Sequence, residues 1–420
     1  MIEIKQHKIN NCRITVPGSK SFTHRMLIAA ALSEGVSLIN NGLISDDTQM
    51  TITALKQMGI RIESKTDGFL VHGRGGDLDA CDSPIHVGNS GTSMRLLTAV
   101  AAIGKGTLTL TGSQRMGERP IQDLLDALRQ LGVSVRSLNN NGCPPIEVAG
   151  GTLSGDKVAI NCEKSSQYLS ALLMIAPYTE NGIEITVTKG PVSRPYVDMT
   201  VEVMKTFGVT LTREGYQKFN VPGAQVYRSG EYWVEGDCSQ AAYFWSAAAI
   251  TGTRIKVIGI NPGSPQGDIR FVELLNKMGC RILKEPDGIS VLGGALSAIK
   301  ADLSDMPDSV PTLALVAAFA GGTSKIYNVA HLKSKESDRL TAVATELNKM
   351  GIKATATDNA LIVKGGKPCG SIIDTYDDHR IAMSFAIAGL NVPGVYIRDE
   401  GCVAKSFPDF WHVFERLYGR

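Results

Sequence analysis

Apolar residues fall along this chain in blocks of two kinds, and the blocks recur. The run Phe22 to Leu32 is apolar or small at almost every position, which predicts a helix covered on all sides. Thr107-Leu108-Thr109-Leu110 instead alternates with a period of two, as a half-buried strand does. The succession of polar cluster, Ala/Leu-rich helix, glycine turn and β-branched strand returns about every 70 residues. Its polar clusters are Ser19-Lys20-Ser21, Gly88-Asn89-Ser90-Gly91-Thr92, Lys164-Ser165-Ser166-Gln167, Gly236-Asp237-Cys238-Ser239, Met306-Pro307-Asp308-Ser309 and Tyr376-Asp377-Asp378-His379. The strands that follow are expected at Val36–Ile39, Thr107–Leu110, Ile183–Thr186, Arg254–Val257, Ser324–Tyr327 and Val395–Ile397.

A second helix follows each strand. In the run Pro120 to Leu131, for example, Ile121, Leu124, Leu125, Leu128 and Leu131 share one face, and proline suits a first turn because its missing N–H is not needed there. These helices end in a hydrophobic residue and a glycine: Met58-Gly59, Leu131-Gly132, Phe207-Gly208, Met278-Gly279, Met350-Gly351 and Tyr418-Gly419. Each glycine fits the left-handed position just past a helix. The repeat thus reads strand, helix, strand, helix, strand, strand, a mixed α/β module. The polar loops differ too sharply in charge for a uniform solenoid, and two groups of three modules fit the length better. Ser229 to Glu235 reads as a connection between the groups. Ile2 to Ile9 reads as a strand that precedes the first polar cluster and could join either group.

Composition narrows the function classes. With 420 residues, 43% hydrophobic and 20% charged, the chain can fill two domain cores. Lys+Arg 43 against Asp+Glu 41 leaves a net +2, which excludes a general nucleic-acid or membrane binder and makes any basic function local. Eight cysteines are scattered without a C-x-x-C pair, Met1 runs straight into a strand pattern, and no long apolar span occurs. Reduced thiols and a cytoplasmic location are expected.

The polar clusters carry the candidate chemistry. A helix start offers free N–H groups and a positive dipole end, so Pro17-Gly18-Ser19-Lys20-Ser21, with Arg25 one turn on, suggests a seat for phosphate or carboxylate. Lys20, Arg25, Arg95, Arg119, Lys335, Arg339, Arg380 and Lys405 all fall at or near such loops, and forked guanidinium groups suit small anions. Simpler roles compete: Ser19 and Asp308 as plain N-caps, Glu336 in a surface pair with Lys335, and Gly91 as a turn residue.

The motifs Pro17-Gly18-Ser19-Lys20-Ser21 with Arg25, Gly88-Asn89-Ser90-Gly91-Thr92-Ser93-Met94-Arg95, Glu118-Arg119-Pro120, Ser165-Ser166-Gln167-Tyr168, Ser193-Arg194-Pro195-Tyr196, Lys335-Glu336-Ser337-Asp338-Arg339-Leu340 and Asp378-His379-Arg380 occur in that order. On these the chain resembles the EPSP synthase family of enolpyruvyl transferases, from near its start to Lys405-Ser406-Phe407-Pro408. The resemblance implies two inverted α/β domains, each built from three βαβαββ repeats, with the ligand cleft between them. It places residues 1–19 with 235–420 in one domain and 20–234 in the other. It implies transfer of the enolpyruvyl group of phosphoenolpyruvate to shikimate 3-phosphate with release of phosphate, without metal or organic cofactor. A monomer that binds neither nucleic acid nor membrane is expected.

Residue by residue, the resemblance implies that Lys20, Ser21, Arg25, Ser165, Ser166, Gln167, Ser193, Tyr196, Asp308, His331 and Lys335 hold shikimate 3-phosphate. It gives phosphoenolpyruvate to Lys20, Asn89, Gly91, Arg119, Gln167, Arg339, Arg380 and Lys405. Asp308 is expected as the base at the reacting hydroxyl, Glu336 and Lys20 as proton carriers, and His379 as a residue that orients its neighbours. His331 stands where many relatives carry asparagine, and Leu96 where several carry proline. The sister transferase acting on UDP-N-acetylglucosamine carries a cysteine in a mobile loop, and Gly112 to Arg119 here has none. A non-enzymatic repeat scaffold would not need Lys20, Asp308, Glu336 and the arginines together.

Overall fold

A computed structural model describes residues 1–7, 9–151 and 153–419. The chain forms two compact units, one of Gly18–Val234 and one of Met1–Pro17 with the chain from Glu235 onward. Each unit has its own hydrophobic core.

In the unit 18–234 three four-stranded sheets recur with one topology. Lys157–Asn161 pairs parallel with Ile183–Lys189, which pairs antiparallel with Lys218–Val221, and Thr212–Glu214 closes the edge. A parallel pair needs a crossover, and helices supply it. They are α1 (Lys20–Leu32), α2 (Asp46–Gln57), α3 (Gly91–Ile103), α4 (Gln122–Gln130), α5 (Gln167–Ile175) and α6 (Pro195–Thr206). The first helix of each repeat, α1, α3 and α5, is buried along nearly its whole length, as an all-round apolar sequence demands. The second helices are amphipathic, and in α4 the expected face of Ile121, Leu124, Leu125, Leu128 and Leu131 is buried. That helix starts at Gln122, with Ile121 at its N-cap position, so Pro120 lies just ahead of the first turn rather than in it.

The other unit repeats the plan with α7 (Cys238–Thr251), α8 (Phe271–Lys277), α9 (Val310–Ala318), α10 (Arg339–Lys349), α11 (His379–Ala388) and α12 (Phe410–Glu415). Its sheets include one of three strands, where Ile2–Ile4 lies antiparallel to Val395–Ile397. The N-terminal strand is therefore shorter than the expected Ile2 to Ile9, of which Lys8 lies outside the described residues. A separate strand, Cys12–Thr15, pairs parallel with Arg254–Ile258 and so completes the repeat of α7. The stretch Ser229 to Glu235 is also more than a connection: Glu231–Trp233 pairs parallel with Glu34–Asn40 and supplies the first strand of the repeat of α1.

The glycines that close the second helices all take positive φ, from 73° at Gly419 to 112° at Gly279, the conformation that ends a helix and starts a strand. A different glycine marks the hairpin of the first repeat in each unit. Gly68 and Gly288 have φ of 135° and 155°, and an added Cβ would stand 1.9 Å from the Ile39 carbonyl oxygen and 2.0 Å from that of Val257. Both strain and a clash with the neighbouring strand oppose any side chain there. Gly288→Ala should therefore lower stability by about 1–3 kcal/mol, read as a lower urea midpoint, while Gly401→Ala, which meets nothing within 4 Å, should leave it unchanged.

Candidate active site

A helix buried on all sides exposes only its ends, and the polar clusters sit at those ends. In α1 Ser19 is the N-cap, its hydroxyl accepting from the Phe22 N–H at 3.5 Å, so the plain capping role holds for that serine. Lys20, the first residue of the helix, donates to Asp47 Oδ2 at 2.8 Å, with both side chains nearly buried. Arg25, one turn after Ser21, is 1% exposed. Its Nε donates to Thr200 Oγ1 at 2.7 Å, Nη1 to the Ser21 carbonyl at 2.9 Å, and Nη2 to the Tyr196 carbonyl at 3.2 Å and Ser170 Oγ at 3.4 Å. Every one of these acceptors is neutral, and no carboxylate among the described residues pairs with Arg25. Burial accordingly pushes the guanidinium down to about 10, because the charge is desolvated without a counter-charge.

A second group forms at the starts of α3 and α5. Arg95 Nη1 donates to Gln167 Oε1 at 2.9 Å and Nη2 to the Pro120 carbonyl at 3.2 Å, and its guanidinium stands 5.7 Å over the Tyr168 ring. Gln167 Nε2 in turn donates to Thr92 Oγ1 at 3.0 Å. Arg119 Nη1 reaches the carbonyl and the side-chain oxygen of Asn89 at 2.9 and 3.1 Å. Gly91 is the first residue of α3 and is not among the glycines of positive φ, which removes the turn explanation. An added Cβ would stand 2.4 Å from Arg119 Nη2 and 2.6 Å from Arg95 Nη1. Two guanidinium groups pack against the backbone at Gly91, so a side chain there would have to move them.

Ser165 accepts from the Gln167 N–H at 3.2 Å, and Ser166 is buried just ahead of α5. Ser193, with φ of 54°, is buried two residues before α6, and Tyr196 is half-buried in the first turn of that helix.

In the other unit the starts of α10 and α11 and the turn before α9 converge on one ionic cluster. Arg339 opens α10 at 1% exposure. It donates through Nη1 to Asp308 Oδ1, through Nη2 to Glu336 Oε2 and through Nε to Asp378 Oδ2, each at 2.8 Å. Arg380 donates through Nη2 to Asp308 Oδ2 at 3.0 Å and through Nη1 to Tyr243 Oη at 3.1 Å. Asp378 is also the N-cap of α11, accepting from the Arg380 N–H.

Two competing roles fall here. Asp308 is not the N-cap of α9, a position that Ser309 takes; it lies in the turn Pro307–Ser309 and is held between two guanidinium groups. Glu336 is no surface residue, with a side chain only 9% exposed and bonded to Arg339. Burial alone would raise the Asp308 carboxyl, but Arg380 and then Arg339 override it and hold it well below the usual carboxylate range. Burial likewise opposes the charge on Arg339, and Asp378, Glu336 and Asp308 outweigh it.

The remaining expected residues surround this cluster. His331, in the turn Ala330–Ser334, is pushed down to about 3 by burial and the charge of Lys335, and is neutral at neutral pH. His379, buried, has Nδ1 3.8 Å from Asp378 Oδ1. Lys405 ends the turn Glu400–Lys405, where its charge opposes the burial that raises the Asp377 carboxyl.

Each unit thus gathers its own share of the expected residues. Sequence reasoning gave no role to Asp47, Ser170, Thr200 or Tyr243, and quoted Asp378 only within a motif. An acid early in a helix reads as a dipole partner, and nothing local marks it as the counter-ion of a lysine on another helix. Among the described residues no group of three His, Cys, Asp or Glu side chains is placed to hold a metal ion, and no helix is long and apolar enough to cross a membrane.

A family model described as EPSP synthase (3-phosphoshikimate 1-carboxyvinyltransferase) matches residues 4–414. A curated 3-phosphoshikimate 1-carboxyvinyltransferase of Syntrophobacter fumaroxidans is 45% identical over 408 residues, 96% of each chain. One of Methanosphaerula palustris is 44% identical over 414 residues, 98% of this chain and 97% of the relative. The solved EPSP synthase of Acinetobacter baumannii superposes with a TM-score of 0.82 at 30% identity, covering 99% of this chain and 97% of that one.

The ionic cluster predicts a pH signature in stability. A carboxylate whose folded pKa is depressed stabilises the fold above its unfolded pKa of about 3.9, and that stability is lost as pH falls through the folded value. Asp308→Asn should therefore cost roughly 3 kcal/mol between pH 5 and 8, since it leaves buried guanidinium charge uncompensated, and the gap should narrow only below about pH 4. Urea denaturation at several pH values checks this. A gap that closes already near pH 6 would contradict it.

Proposed function

Because the chain belongs to the EPSP synthase family, we propose that it transfers the enolpyruvyl group of phosphoenolpyruvate to the 5-hydroxyl of shikimate 3-phosphate, releasing phosphate. The protein acts as a cytoplasmic monomer and needs neither metal nor organic cofactor. The observation that carries the mechanism is Asp308 held between Arg339 and Arg380, a proton acceptor directly bonded to two guanidinium groups that suit a carboxylate.

The reaction is an addition followed by an elimination. The hydroxyl oxygen bonds to C2 of phosphoenolpyruvate as its proton passes to Asp308, and C3 takes a proton from Glu336 or Lys20, giving a tetrahedral intermediate. C3 then returns a proton and the C2–O bond to phosphate breaks, restoring the double bond. Buried cations at the developing charges stabilise both steps more than they would in water. Arg25, paired only with neutral acceptors, supplies the standing positive charge for the phosphate of shikimate 3-phosphate, with Ser21, Ser165, Ser166, Gln167, Ser193 and Tyr196 as polar partners. Asn89, Gly91, Arg119 and Gln167 join Lys20, Arg339, Arg380 and Lys405 in holding phosphoenolpyruvate. His331 and Lys335 contact shikimate 3-phosphate beside Asp308, and His379 orients the start of α11.

Asp308 bonded to two arginines is a weak base. A substrate carboxylate that takes over Arg339 and Arg380 frees Asp308 and raises its proton affinity at the moment the base is needed. Binding of one substrate thereby activates the base for the other.

Phosphate release from the two substrates together, and from neither alone, tests the activity. Asp308→Asn should lower turnover by about two to four orders of magnitude while both substrates still bind. Near-normal turnover would remove Asp308 from the mechanism. Gly91→Ala should displace Arg119 and raise the KM for phosphoenolpyruvate at least about tenfold, with that for shikimate 3-phosphate little changed. Equal losses for both substrates would contradict the local role of Gly91.

A further inference from the structure

Asp268 is a buried carboxylate that the mechanism above does not use. It lies in the turn Gly267–Arg270, 4% exposed, and no cation among the described residues pairs with it. Its Oδ1 accepts from Ser309 Oγ at 2.5 Å and its Oδ2 from Ser239 Oγ at 2.9 Å. Ser309 follows Asp308 directly in the turn before α9. Ser239 is the second residue of α7, one turn ahead of Tyr243, the residue that receives Arg380 Nη1. Asp268 therefore ties together two elements that flank Asp308 and Arg380.

We infer that Asp268 is a positioning residue for Asp308: through Ser309 it fixes the turn that aims the carboxylate, and its negative charge raises the proton affinity of Asp308. The inference rests on the reading of Asp308 as the base. The charges that face Asp308 are Arg380 from α11, Arg339 from α10, and Lys335 and Glu336 from the segment before α10, with neutral His331 beside them. Once a carboxylate occupies both arginines, the charge of Asp268 remains to oppose ionisation of Asp308. Those that face Asp268 are Asp308, Arg380 and the buried Cys238 thiol of α7, beside the hydroxyls of Ser309 and Ser239. Burial, followed by the charge of Asp308, pushes the Asp268 carboxyl up to about 6.

The sign follows. Above pH 6 Asp268 is charged and Asp308 is the stronger base; below it Asp268 is neutral and Asp308 weakens. A raised folded pKa also means that the charge of Asp268 costs stability at neutral pH, so removing the charge and keeping the shape should not destabilise the fold.

The test is Asp268→Asn in the full chain. At pH 8 kcat should fall on the order of tenfold with both KM values within about twofold, and the melting temperature should stay level or rise. The ratio of wild-type to variant kcat/KM should decline toward one between pH 8 and 5, with a midpoint near 6. This ratio cancels the titration of the substrate phosphates, whose second pKa is also about 6. A constant ratio, or a loss of activity matched by a lower melting temperature, would overturn the role of the charge. Ser309→Ala keeps the charge and removes the tether: it should lower kcat and retain the wild-type step near pH 6, and wild-type kcat would overturn the positioning role. If Asp308→Asn retains turnover, the reading of Asp308 as base fails; if it is inactive and the Asp268→Asn ratio is flat, only the role of Asp268 fails.

Discussion

A guanidinium group that leaves water costs free energy for each charge and N–H donor left without a partner, and this chain buries several guanidinium groups at helix ends. Arg25, Arg95, Arg119, Arg339 and Arg380 are all between 1% and 6% exposed. The structure solves the problem in two ways. Arg339 and Arg380 are surrounded by Asp308, Glu336 and Asp378, so their charge is neutralised within the protein. Arg25 and Arg95 rest on carbonyls, hydroxyls, an amide and an aromatic ring, which meet most of their N–H donors, the Arg95 Nε excepted, and leave the charge uncompensated. In the proposed mechanism the first arrangement exchanges an internal carboxylate for an external one, and the second offers its uncompensated charge to an anion.

The fold makes these arrangements possible. The first helix of each repeat is apolar on all sides and carries its polar residues at its N-terminus, where unpaired N–H groups add to the positive potential. Gly91 shows how tightly the cluster is built: even one methyl group there would meet two guanidinium groups. Asp378 does double duty, capping α11 and fixing Arg339, so the helix start and the ionic cluster stand or fall together.

What the sequence made legible was local. The helix-ending glycines, the polar cap clusters and the β-branched strands depend on neighbours within a turn or two, and all six expected strands lie within observed ones. What it hid depends on distant partners. Asp308 looks like an N-cap until Arg339 and Arg380 arrive from elsewhere in the chain, and Asp47 looks like a dipole partner until Lys20 is brought to it. Glu231–Trp233 resembled a connection because the strand it pairs with, Glu34–Asn40, lies nearly 200 residues earlier. The strand Ile2–Ile4 is shorter than its pattern because only the stretch opposite Val395–Ile397 finds a partner.

In the proposed mechanism Arg339 and Arg380 keep Asp308 ionised until a substrate carboxylate takes over both guanidinium groups. NMR titration of carboxyl-labelled aspartate tests it most directly, with the Asp308 resonance assigned by its loss in Asp308→Asn and followed with and without saturating phosphoenolpyruvate and shikimate 3-phosphate. The account predicts a pKa well below the usual carboxylate range in the protein alone and a rise when both substrates are bound. An ordinary pKa in the protein alone, or one that does not move on binding, would contradict it.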